Sequence, residues 1–110
     1  MKTVLIDTSK IIGWESFHDV FADTLGFPDY YGRNMNAWID CMSSIGVYEE
    51  AWTAARGFEV GEKLLLDIPN AKAWKDRCPD IFEAFMEDVA FSNYRNLEVG
   101  EAANLLLFLH

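Results

Sequence analysis

Three short apolar runs punctuate the chain at wide intervals: Thr3-Val4-Leu5-Ile6-Asp7, Lys63-Leu64-Leu65-Leu66-Asp67-Ile68 and Asn104-Leu105-Leu106-Leu107-Phe108-Leu109. Each is continuous rather than alternating, the pattern of strands covered on both faces in a parallel sheet. The last follows a glycine loop, which favours a strand over a buried helical turn. Helical spacing fills the intervals. In 14–25, Phe17, Val20, Phe21 and Leu25 share a face, Glu15, Asp19 and Asp23 lie elsewhere, and Gly26 with Pro28 stops the helix. A second helix starts at Asn34, a good N-cap, and runs to about 45 with Met35, Trp38, Met42 and Ile45 at core spacing. Gly46 marks its end.

Segment 46–62 has no clear period, although Val47, Tyr48, Trp52 and Phe58 suggest a packed excursion over the surface. Pro69-Asn70 caps a short helix over 71–77, and Pro79 opens a longer one from 80 to about 94, with Ile81, Phe82, Phe85, Met86 and Val89 as its core face. The order β-α-α-β-α-α-β predicts one α/β domain over 1–110, a small three-stranded parallel sheet with helices packed against it.

Composition supports a single compact domain, since 51% of the 110 residues are hydrophobic. No apolar run approaches the roughly 20 residues of a membrane span, and the start MKTVLID lacks the features of a secretory signal, so a cytoplasmic protein is expected. Cys41 and Cys78 are too few for a disulfide scaffold and too far apart for a zinc knuckle, and are expected as free thiols. The formal charge is −9. It disfavours nucleic acid as a ligand and favours a basic partner, with simple solubility as the plainer account. The excess is uneven: residues 15–50 hold seven acids and one base, Arg33.

Within that acidic third lies FPDYYGRNMNAWIDC, residues 27–41, a loop running into a helix. Asn36, Asp40 and Ser44 are spaced by four and should form one exposed polar row, away from Met35, Trp38 and Met42. Tyr30, Tyr31, Gly32 and Arg33 form the loop leading into it, with the glycine allowing a sharp turn. Tyrosine offers contact area at little entropic cost and a carboxylate pairs with a partner's arginine, so the stretch has the makeup of a protein-binding patch. The alternative from spacing alone is an ordinary capped helix with loop tyrosines.

The same run closely resembles the signature of barstar-like proteins, intracellular inhibitors of secreted microbial ribonucleases: P-x-Y-Y-G-x-N, an acid or its amide, then D-C. VLID through FHDVFADTLGFP is also similar, as are CPDIFEAF and AFSNYR, which resemble a branch with a longer segment before the second strand. The resemblance implies a three-stranded parallel sheet and a 1:1 inhibitor that fills the RNA-binding cleft of a basic ribonuclease. It implies that Asp40 faces the enzyme's phosphate-binding arginines, Tyr30 packs over the cleft mouth, Tyr31 supports the loop from within, Gly32 permits close approach and Asn34 caps the helix. Glu87 on the later helix is the match for a further acidic contact, with Glu83 and Asp88 as competitors. Three departures stand out: Asn36 where an aspartate is common, Ile39 where the founding member carries an aromatic, and the positive charge of Arg33.

The chain has no H-E-x-x-H, G-x-S-x-G, phosphate-binding glycine loop or metal-ligand spacing, so neither catalysis nor a cofactor or metal is expected. Two other classes compete with the inhibitor reading: an immunity protein against a different basic effector, and an enzyme or small-molecule binder on a reused fold.

Overall fold

The computed structural model describes residues 1–110. Strand β1 (Lys2–Leu5) leads through a 3₁₀ turn (Thr8–Lys10) to α1 (Trp14–Leu25) and α2 (Met35–Ser44). A short helix α3 (Ala51–Ala55) precedes β2 (Leu64–Ile68), then come α4 (Ala71–Arg77), α5 (Pro79–Glu98) and β3 (Leu105–Leu109). The sheet is parallel with β2 in the centre, and its register aligns Val4 with Leu66 and Leu66 with Leu107. The predicted elements are all present; α5 continues past the expected end through Glu98, and the 46–62 segment, for which no element was expected, contains α3.

The strands correct one expectation. They are covered on one face, not two: Leu64, Leu66 and Ile68 of β2 are buried, whereas Leu5, Leu106 and Phe108 are 57%, 45% and 52% exposed. The helices all back the row of Val4, Leu66 and Leu107, and the opposite row of Leu5, Asp67 and Phe108 remains open. Asp67 in the central strand pairs there with His110 at 2.5 Å. A carboxylate at that position suits a wet face, and it interrupts the apolar run where the open side lies.

The core is aromatic at its centre. Phe21 meets Trp38 edge-on at 5.5 Å between centroids, Trp38 meets Phe85 at 6.0 Å, and Trp74 lies 5.2 Å from Phe85. These contacts tie α1, α2, α4 and α5 into one body behind the sheet. Trp38 and Trp74 bury their indole N–H groups without a hydrogen-bond partner.

Two asparagines fix α2 against its neighbours, and a third ties α5 to the start of β3. Asn104 donates to the carbonyls of Met42 (2.8 Å) and Ile45 (2.7 Å), and Asn96 donates to Ser43 (3.0 Å) and to the Asn104 side chain (3.0 Å). Asn93 accepts from the Asn104 and Leu105 N–H groups and donates to the Leu105 carbonyl. The C-terminal carbonyls of α2, which have no intrahelical partners, are thereby satisfied by α5 and β3. This bonding sets the position of the helix that carries the candidate site.

Candidate partner-binding surface

The surface starts where α1 ends. Gly26 takes a left-handed cap (φ 72°), and Phe27 turns inward, 4.7 Å from the Tyr31 ring and 5.5 Å from Trp52. Trp52 and Phe58 of the 46–62 segment are buried, so that excursion props the tyrosine loop from behind. Its own entry is tight: Gly46 has φ 76°, and a Cβ there would stand 2.0 Å from the Glu62 carbonyl oxygen.

Tyr31 faces inward. Its hydroxyl shares a hydrogen bond with Nδ1 of His18 at 2.5 Å. Burial raises the Tyr31 pKa well above 10, while burial, together with the Arg33 charge, lowers that of His18 below 6.5. The phenol therefore keeps its proton and the imidazole stays neutral, so a neutral pair ties the loop to α1. Trp14 stacks with His18, 6.0 Å between ring centroids. Tyr30 projects the opposite way and is 80% exposed.

Gly32 and Arg33 exchange their expected parts. The left-handed residue is Arg33, at φ 54°, and Gly32 is not in that region. A Cβ on Gly32 would come within 3.3 Å of Asn34 Nδ2 and 3.5 Å of Ala37 Cβ, so the glycine supplies clearance beside the helix entrance. Arg33 folds back onto α1, where Nη2 donates to Asp19 Oδ1 (2.8 Å) and the Glu15 carbonyl (3.1 Å). Its charge is thus matched within the protein. Asn34 caps α2 by accepting from the Ala37 N–H at 2.8 Å.

On α2, Asn36 and Asp40 are exposed. Ser44 is not: it is 4% exposed and donates to the Cys41 carbonyl at 2.8 Å. The last turn of α2 tucks under α5 and β3 through the asparagine bonds, so the exposed row ends at Asp40. Ile39 is 7% exposed and belongs to the core, and Trp38 is fully buried. Burial, with Glu50 and Asp40 adding negative charge, pushes the Cys41 thiol up to about 12, which leaves no thiolate at neutral pH.

Glu83 and Glu87 are exposed on α5, and Asp88 is half-buried with its carboxyl pKa raised by that burial. The α5 residue in contact with the row is a different one. Arg95 Nη1 bonds Asp40 Oδ1 at 2.8 Å, with both side chains substantially exposed. Glu87, Phe91 and Arg95 follow one another at intervals of four, and Phe91 is 48% exposed, so an aromatic stands between the acid and the base on that flank. Nothing local marks Arg95, because its partner is on another helix.

Beside the loop, Trp14, Glu15, His18, Arg33, Asn34 and Met35 line an open groove of about 440 Å³ between α1 and the α2 entrance. The described chain has no cluster of side chains suited to hold a metal ion, and no helix long and apolar enough to cross a membrane.

Three parallel strands backed by helices, with an outward tyrosine at a capped helix entrance and a carboxylate one turn further on, form a barstar-like α/β domain. Residues 1–92 match the family described as Barstar (barnase inhibitor), and the chain belongs to that family. It is also similar to "Putative ribonuclease inhibitor YrdF" of Bacillus subtilis (strain 168), 44% identical over 43 residues. That match covers 39% of this chain and about half, 47%, of the relative's length.

Proposed function

We propose that this protein is a stoichiometric inhibitor of a basic, secreted microbial ribonuclease, acting in the cytoplasm as a 1:1 partner that fills the RNA-binding cleft. Family membership supports a ribonuclease-inhibiting role. The observation that carries the mode of binding is the exposed Asp40 carboxylate in line with Asn36 on α2, next to the 80%-exposed Tyr30, on a chain of charge −9. A cleft that holds RNA phosphates is lined with cations, and an exposed carboxylate with an exposed aromatic on the preceding loop suits it in charge and in contact area. Tyr31, Gly32, Arg33 and Asn34 act mainly by holding the loop, and Glu87 supplies an outer acidic contact. Asn36 offers a neutral hydrogen-bonding group where a charge would bind more tightly.

The test is RNA cleavage by guanyl-specific microbial ribonucleases titrated with the wild-type protein and with Asp40→Ala. Wild type is expected to inhibit at one equivalent. Asp40→Ala should lose about 2 kcal/mol of binding or more, roughly thirtyfold, whereas Asp23→Ala should lose less than about threefold. Equal small losses from both would refute this surface.

A further inference from the structure

We propose that Arg95 determines which ribonucleases this surface accepts: held against Asp40, it makes the end of the exposed α2 row a paired negative and positive site, selecting clefts that set a carboxylate beside the phosphate-binding cation. The proposal rests on the ribonuclease reading above and names the partner chemistry of the same surface.

Arg95 is positioned rather than loose. The next residue, Asn96, is buried and bonded to the Ser43 carbonyl, so α5 delivers residue 95 to the flank of α2 at Asp40. The ion pair is 2.8 Å long, with side-chain exposures of 42% for Arg95 and 69% for Asp40. Exposed pairs of this kind are weak, so the contact orients both groups yet opens readily to a partner. One Arg95 N–H is used on Asp40, and the rest of its donor fork remains available. The other base of the region, Arg33, is committed to Asp19 and the Glu15 carbonyl on α1. Arg95 is therefore the cation that a partner meets at Asp40.

The consequence is selective. A cleft carrying cations alone finds Asp40 already half neutralised and meets like charge at Arg95. A cleft that also carries a carboxylate exchanges one weak internal pair for two intermolecular pairs, which are shielded from water once the interface closes. Cleavage of RNA by its own 2′-hydroxyl calls for a general base next to the groups that hold the phosphate, and that base is a carboxylate in some enzymes and an imidazole in others. Ribonucleases with a carboxylate base carry the complementary arrangement.

The experiment measures Kd for wild type and Arg95→Met against a microbial ribonuclease whose general base is a carboxylate, and against that enzyme with the base changed to its amide. The amide change should weaken wild type at least tenfold and Arg95→Met by less than threefold, and Arg95→Met should bind the native enzyme at least tenfold more weakly than wild type. Methionine suits this exposed helical position, and an unchanged urea midpoint verifies the fold. Arg95→Met binding the native enzyme as tightly as wild type, or both proteins responding alike to the amide change, overturns the proposal. Failure of wild type to bind at all, with Asp40→Ala equally inert, instead defeats the ribonuclease reading, and this one with it.

Discussion

Tyr30 and Tyr31 are neighbours in the chain, yet one is 80% exposed and the other is locked to His18 at 2.5 Å behind the loop. The second arrangement makes the loop sensitive to pH. Burial lowers the folded-state pKa of His18, while in the unfolded chain it returns to about 6.5. A depressed pKa means that the unfolded chain binds more protons, so the contribution is complete above 6.5 and is lost as pH falls below it. The urea midpoint is therefore expected to fall between pH 7.5 and pH 5.5, with a flatter profile in His18→Gln. An equal slope in both proteins would assign the effect to other groups. Asp88, whose burial raises its carboxyl pKa, works with the opposite sign. At this scale the Asn34 cap was legible because it depends on adjacent residues, whereas the outward Tyr30 followed only from the resemblance to the family motif. Arg95 was not, since 55 positions separate it from Asp40.

Helix α2 presents the site only because its far end is held. Asn104, 2% exposed, satisfies two of its carbonyls and bonds Asn96. Asn104→Ala strands all three groups, and a stability loss of about 3 kcal/mol is expected by urea unfolding. A loss below about 1 kcal/mol would mean that water replaces the side chain. The same bonds explain the burial of Ser44. A spacing of four places a residue in a row on an isolated helix, but the row ends where another element covers it. The one-sided sheet has a similar cause. Continuous apolar runs are shared by strands buried on both faces and by strands with one open apolar face, so periodicity alone cannot separate them.

Charge acts on the whole molecule. The excess of acids over bases is greatest in 15–50, the segment that holds most of α1, the tyrosine loop and α2, so most of the net negative charge lies in the segment that carries the proposed surface. Association with a basic partner should be steered by that charge. The association rate is expected to fall about tenfold or more between ~0.02 M and ~0.5 M salt, with dissociation changing less than about threefold. Stopped-flow mixing at several salt concentrations measures both, and a salt-independent association rate would remove steering from the account.

The sequence by itself determined the element order, the strand identities, the α1 and α2 cores and the helix entrance with Tyr30, Asn34 and Asp40. Each of these follows from local spacing, capping or turn chemistry over a few residues. Only the tertiary structure decided which face of the sheet stays open, that Ser44 and Ile39 are buried, that Arg33 turns back to Asp19, and that Arg95 meets Asp40. Those outcomes depend on which elements pack together, and packing joins residues whose separation in the chain carries no local signal.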